Sequence, residues 1–335
     1  MPFRITFERD QRRTLTLLRL IKQNWFLIAL VGICVLTLID VTGTLAGMGK
    51  WFKSHNGADA VICTIFFCSG LILKREEIRA GLQDIRGAII ALVIIFAFAP
   101  LAAFIIGLLP LDPAVRIGLF LVSVMPTTMS SGVVMTGAAG GNIAHALLIT
   151  VVANSLSIVT IPFSLALLLQ TVESVPIDKA RMMIQMALLV LLPLMLGLFL
   201  RPKKGAFLTS LQRGIPVLTQ CLILSIVWMG LSEAKDTVMS GGAQVLIILV
   251  LSFFFHAVLL VAGFLSIRLF HIPRGRLESI LFMGGQKTLP LAVLLQVKLF
   301  PQYGLALAFC VFHHFIHLMM DGYLVGRLNR MRKSS

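Results

Sequence analysis

Apolar residues run almost unbroken along this chain, interrupted at intervals by short polar and basic segments. A helix that crosses the hydrocarbon core of a bilayer needs about 20 predominantly apolar residues. By that measure the pattern predicts ten spans, near 25–46, 60–73, 88–109, 117–139, 143–170, 182–200, 214–232, 243–267, 280–297 and 303–326. The second is short and the fifth long. Together they use nearly all of the 335 residues and leave no room for a soluble domain. The segment "MPFRITFERDQRRTLTLLRLIKQ" that precedes them is basic, without the short apolar core and small-residue cleavage site of a secretory signal.

Composition agrees with the pattern. Hydrophobic residues make up 58% of the chain and charged residues 13%, against about 45–50% and about 25% in soluble domains. A net charge of +15 would by itself suit a nucleic-acid binder, but its distribution excludes that reading. With the N-terminus placed in the cytoplasm, the inner segments carry 21 Lys and Arg and the outer loops 7. Of the 29, only Lys287 then falls within a span. This is the positive-inside bias of an inner or plasma membrane protein. The charge marks topology: both termini are expected in the cytoplasm, with the lipid bilayer as partner and no nucleic acid. Cys34, Cys63, Cys68, Cys221 and Cys310 all lie in apolar spans, with no Cys-x-x-Cys pattern among them. Neither disulfides nor a metal site is expected, and the thiols read as small core residues.

The ten spans divide into five and five. Span starts at 25, 60, 88, 117 and 143 recur at 182, 214, 243, 280 and 303, with an offset between 154 and 163. An odd number of helices per half forces the halves into opposite orientations, the inverted repeat common in secondary transporters. The first repeat would cover 1–170 and the second 182–335, joined by the loop 171–181. The fourth span of each half is then interrupted, by "MPTTMSSGVVMTGAAGGN" (125–142) and by "MGGQKTLP" (283–290). Pro removes a helical hydrogen bond and clashes with the preceding turn, and Gly weakens a helix by about 1 kcal/mol relative to Ala. In lipid such backbone persists only where protein or a water-filled cavity surrounds it. Paired interruptions at equivalent positions therefore point to a midplane site, where half-helix N-termini face anions and freed carbonyls face cations. Ordinary kinks are the plainer alternative.

Three stretches resemble the bile acid:sodium symporter family. "TIFFCSGLILKREEIRAGLQDIRGAIIALVIIFAFAPLAAFIIGLL" (64–109) is similar to its second and third helices, and "VMPTTMSSGVVMTGAAGGNIAHALLITVVANSLSIVTIPF" (124–163) to its fourth and fifth. "GGQKTLPLAVLLQVKLFP" (284–301) most resembles the divergent, sodium/bile-acid-symporter-like branch, whose members carry a Lys near this point of the ninth helix. The resemblance implies an all-α membrane protein of ten helices in two inverted five-helix repeats, with broken helices 4 and 9 crossing. It implies a core domain from helices 3–5 and 8–10 and a panel domain from helices 1, 2, 6 and 7, which move against each other in alternating access.

The resemblance also implies site positions, and here the chain departs from the family. Sodium sites of bile-acid-transporting members use a Ser-Asn pair at the helix-4 crossover, Ser and Thr on helix 5, and a Glu and a Gln on helix 9. Here the crossover reads Ser130-Ser131-Gly132, and the helix-5 positions fall on Ala146 and Thr150. The Gln matches Gln286, the Glu falls on Phe282, and a helix-3 Gln falls on Ile95. The family's carboxylate is missing, so what remains of a sodium site is Gln286, Ser131 and Thr150. The candidate substrate- and ion-binding set is Thr127, Thr128, Ser130, Ser131, Thr150, Asn154, Gly285, Gln286, Lys287 and Thr288.

Lys287 stands beside the substrate position of that family. An ionised Lys at the bilayer centre costs at least about 2.5–3.5 kcal/mol on insertion scales and needs partners. The carboxylates within spans are Asp40 in span 1 and Asp321 in span 10, neither on spans 4, 5 or 9. Three readings stay open: an ammonium that occupies the volume of a missing sodium ion and attracts an anionic substrate, a lysine that exchanges protons during the cycle, or a structural charge bonded to carbonyls of broken helix 4. His313, His314 and His317 crowd span 10, where His317 and Asp321 share a face. They read as a proton relay or, more plainly, as interhelical packing with hydrogen bonds. His145 and His256 stand alone and read as structural. The expected function is secondary active transport of a small, anionic organic solute, with no cofactor and sodium or a proton as coupling ion. The alternative, from eukaryotic members of the branch, is a regulator of cellular calcium. A cation/proton antiporter ranks low without an Asp on span 5, and the absence of a nucleophile–base pair argues against an enzyme.

Overall fold

A computed structural model of the protein describes residues 25–26, 28–72, 85–128, 131–170, 184–185, 187–202 and 206–334. Regular structure among them is helical throughout. A helix bonds every interior backbone group within its own segment, which is what a water-free surrounding demands. The helices are α1 (Ile28–Leu38), α2 (Thr44–Ser54), α3 (Gly57–Ile72), α4 (Ile85–Gly107), α5 (Pro113–Ser123), α6 (Ser131–Ala138), α7 (Ile143–Leu169), α8 (Ala187–Phe199), α9 (Ala206–Ser240), α10 (Gly242–Leu269), α11 (Arg276–Gly285), α12 (Leu289–Leu299) and α13 (Gly304–Ser334).

Six segments among the described residues are long and apolar enough to cross a membrane: α4, α7, 214–240 of α9, α10, 276–299 and 304–331 of α13. The count is seven if α2 and α3, bent by 72°, form one span. Helices α1, α5 and α8 are apolar but shorter. The first predicted span needs a correction. It was expected over 25–46, but α1 ends at Leu38 and a turn follows. The cause is Asp40, whose carboxylate accepts from Ala46 N at 3.0 Å and from the Thr42 hydroxyl at 2.8 Å. Such local side-chain bonds offer the backbone an alternative to the helix. Asp40 is therefore a turn residue rather than an intraspan carboxylate, and Lys235 Nζ donates to its backbone carbonyl.

Caps fix several helix starts. Asp112 accepts from Ala114 N at 2.8 Å before Pro113 opens α5, and Asn142 accepts from His145 N at 3.1 Å to open α7. Helix α11 begins at Gly275 (φ 92°), whose N–H donates to Glu278 at 2.7 Å. At the contact of α3 with α8, a Cβ on Gly70 would run into the Leu194 carbonyl and one on Gly197 into the Phe67 carbonyl. Only glycine permits this backbone-to-backbone approach.

Buried apolar residues fall into two clusters. The larger joins α1, α3 and α9 to α4, α5, α7, α10, α12 and α13, through Leu30, Ile62, Val227, Phe255, Leu295 and Phe309 among others. The smaller contains residues of α4, α7, α10, α11 and α13 with Ala139, and its partly buried neighbours come from the same region of the fold. No described residue of α1, α3, α8 or α9 enters it.

Candidate functional site at two helix breaks

The site is built where two helices stop. Helix α5 ends at Ser123 ahead of Pro126, and α6 begins at Ser131. Helix α11 ends at Gly285, Gln286 and Thr288 are extended (ψ 146° and 129°), and α12 begins at Leu289. Pro290 explains this second gap: it has no N–H to give to the Gln286 carbonyl, and its ring would strike it. The two breaks bond directly to each other, Thr288 N donating to the Pro126 carbonyl at 2.9 Å.

Lys287 fills the gap between them. Its Nζ donates to the carbonyls of Ser123 at 2.9 Å, Met125 at 3.0 Å and Ile95 at 3.0 Å. Two of these oxygens lie at the end of α5, where the helix would have bonded them and no longer does. The third comes from the π turn Ile94–Phe98 of α4. An ammonium has three donors, and all are committed to carbonyls. The structure thus leaves Lys287 no proton for direct contact with a solute anion, while the position resembling a helix-3 Gln contributes the Ile95 carbonyl instead of a side chain.

Gln286 ties together the hydroxyls of the first break. Its Oε1 accepts from Thr128 Oγ1 at 2.7 Å and from Ser131 Oγ at 2.8 Å. Thr128 Oγ1 in turn accepts from Gly132 N at 3.0 Å. Gly132 is needed there, because a Cβ would sit 2.8 Å from Met283 Sδ and 3.2 Å from Gln286 Oε1. On its other side Gln286 Nε2 donates to Asp321 Oδ2 at 2.7 Å and contacts Met135 Sδ at 3.2 Å.

Other candidate residues take different places. Thr127 is buried, and its Oγ1 has no hydrogen-bond partner among the described residues. Asn154 donates to the Thr150 carbonyl at 2.8 Å and the Thr127 carbonyl at 3.4 Å. Thr150 turns its hydroxyl to the Ala146 carbonyl of its own helix at 2.9 Å, apart from the bonds that join Gln286 and Ser131. Gly285 is buried against His256. Ser130, the loop 171–181 and much of the basic charge that marks topology lie outside the described residues.

Two histidines expected to stand alone do not. His145 Nδ1 meets Ser279 Oγ at 2.6 Å, and His256 Nε2 meets Asp321 Oδ1 at 2.9 Å with both side chains fully buried. His317 bonds His314 Nδ1 at 2.9 Å rather than its helix neighbour Asp321. No short-range spacing could reveal the His256–Asp321 pair, since 65 residues separate its partners. A buried carboxylate requires a partner, and only the packing of α10 on α13 identifies which one.

Comparison with known proteins matches these features to a family. The profile of the SBF-like CPA transporter family covers residues 24–330 of the chain. The chain is 30% identical to a "Probable sodium/metabolite cotransporter BASS4, chloroplastic" from Arabidopsis thaliana, over 82% of this chain and 66% of that protein. It is 28% identical to a "Sodium/bile acid cotransporter 7" from Xenopus tropicalis, over 63% of this chain and 62% of that protein. The chain thus spans somewhat under two thirds of these relatives' length. The chain belongs to the SBF-like CPA transporter family and is a multi-pass membrane protein.

Proposed function

We propose that this member of the SBF-like CPA transporter family is a secondary active transporter that moves a small, anionic organic solute by alternating access. The observation that carries the reading is the pair of facing helix breaks bonded through Thr288 and Gln286, with a lysine ammonium held by three carbonyls between them. Helices α6 and α12 both begin at the breaks, and helix N-termini favour an anion. The cation needed to hold the crossover carbonyls is supplied by Lys287, which takes the place of a bound sodium ion. The relatives' names, cotransporters of metabolites and of bile acid with sodium, support an organic solute.

We read the helices as ten spans in two inverted repeats, with α1–α3, α8 and α9 forming the panel and the rest the core. The two buried clusters support a moving interface. Panel and core share one apolar cluster, while the other belongs to the core alone. Lys298 at the end of α12 and Asp59 at the start of α3 form a 2.7 Å ion pair across the shared side. This arrangement suits a state closed on that side and separable on the other. The charge bias along the sequence supports a reading with both termini in the cytoplasm and the protein in an inner or plasma membrane.

Counterflow in proteoliposomes tests the reading. Vesicles loaded with a panel of unlabelled organic anions are expected to accumulate the matching labelled solute only when the protein is present. Failure of every carboxylate, sulfonate and phosphate ester under both sodium and pH gradients would overturn it.

A further inference from the structure

We propose that the buried Asp321–His256 pair is a proton-binding site, and that its loading resets the bond from Gln286 to the first helix break. The proposal rests on the transporter reading only for its use, since proton binding can be measured without any solute. Asp321 is the one fully buried aspartate among the described residues, and both its oxygens are engaged. Oδ1 meets His256 Nε2 at 2.9 Å and Oδ2 accepts from Gln286 Nε2 at 2.7 Å. A lone carboxylate buried this way carries a large desolvation cost, so a pair that gains a proton becomes neutral and sheds much of that cost.

A row of histidines adjoins the pair. His256 Nδ1 has no hydrogen-bond partner among the described residues and stands free to accept a proton. His317 lies beside it, ring centroids 5.6 Å apart, and His314 bonds His317 at 2.9 Å. His313 packs against both His256 and His317, at 6.0 and 5.5 Å. Among the described residues, these four histidines from α10 and α13, with Lys287 next in sequence to Gln286, are the titratable groups of this region. The Lys287 ammonium is held on carbonyls. Glu278 on α11 is engaged elsewhere, with Arg274 and Gly275 N. His314 is the most exposed of the row at 7%, so the row runs from Asp321 toward its least buried member, with a ring contact rather than a hydrogen bond between His256 and His317.

Gln286 is the reporter. While Asp321 is ionised, its Oδ2 accepts the Gln286 amide, and Gln286 Oε1 is aimed at Thr128 and Ser131. A proton on Oδ2 would set two donors face to face. The amide then turns over so that its oxygen accepts from the acid, and its NH2 replaces the acceptor that Thr128 and Ser131 had shared. The protonation state of Asp321 is thereby written into the hydrogen bonds of the first break, where the solute is proposed to bind.

Infrared difference spectroscopy of the purified full-length chain in lipid, stepped between neutral and mildly acidic pH, tests this. A protonated carboxyl band is expected to appear on acidification, to shift when aspartate carries a 13C-labelled side-chain carboxyl, and to be lost in Asp321→Asn. His256→Phe is expected to change the pH at which it appears. The isotope shift needs no variant, so a misfolded Asp321→Asn does not shield the proposal. An absent band, a band indifferent to the label, or one retained in folded Asp321→Asn would overturn the site. A His256→Phe titration identical to the wild type would overturn the pair. If the band behaves as expected while counterflow fails for every anion, the proton site stands and the transport reading falls.

Discussion

Replacing Lys287 with Asn asks whether the ammonium stands in for an ion. The substitution removes three charge-assisted hydrogen bonds to Ile95, Ser123 and Met125 carbonyls. Such bonds contribute about 1.5–3 kcal/mol each, offset by the roughly 2.5–3.5 kcal/mol saved by not burying an ammonium at membrane depth. The net loss is about 1–6.5 kcal/mol. The vacated space lies among three carbonyl oxygens, with the Asn amide oxygen as a fourth. A sodium ion that enters it restores stability by mass action, about 2.7 kcal/mol at a concentration a hundredfold above its Kd. The assay is the apparent melting temperature of purified protein in sodium against choline, for wild type, Lys287→Asn and Lys287→Met. Wild type is expected to be indifferent to sodium, Lys287→Asn to start lower and recover by several degrees, and Lys287→Met, whose apolar chain fills the space, to start low and stay there. Stabilisation of the wild type by millimolar sodium would refute the reasoning, because the ion would then have a site that the lysine does not occupy.

Two other expectations concern the scaffold. Gly197→Leu drives a side chain into the Phe67 carbonyl at the α3–α8 contact. Overpacking of this kind costs about 1–3 kcal/mol where side chains can yield, and backbone yields less, so the variant should melt lower and aggregate on size-exclusion chromatography while Gly214→Leu, in open space, does neither. The second is acid sensitivity at the turn after α1. The bonds from Ala46 N and the Thr42 hydroxyl hold the Asp40 carboxyl below its ordinary pKa of 3.8. A depressed folded-state pKa adds stability that is present above the ordinary value and lost as pH falls through the folded one. Wild type should therefore lose melting temperature more steeply than Asp40→Asn as pH drops below about 4, and parallel curves for the two would count against this role of Asp40.

The sequence by itself determined the class of protein and the position of its breaks. Apolar runs of membrane-crossing length admit only helices here, because backbone groups in lipid must be satisfied within their own segment. Pro126 and Pro290 dictate where two of those helices stop, since proline cannot donate the bond that would continue them. Gln286, Lys287, Thr128 and Ser131 were legible for the same local reason: polar side chains in apolar spans stand out against their neighbours. The end of α1 was also local, yet the apolar pattern alone misplaced it, because Asp40 turns the chain through bonds to Thr42 and Ala46 that hydropathy does not register. Carbonyls of the first break were one of three readings the sequence left open for Lys287; which oxygens hold it was beyond any pattern. Its partners are backbone carbonyls 162 to 192 residues away, and a carbonyl has no letter in a sequence. The His256–Asp321 pair was hidden likewise, each residue ordinary on its own helix and significant only once α10 and α13 pack together. Tertiary structure alone decides which buried polar groups meet, because hydrogen bonds act over about 3 Å of space and are blind to distance along the chain.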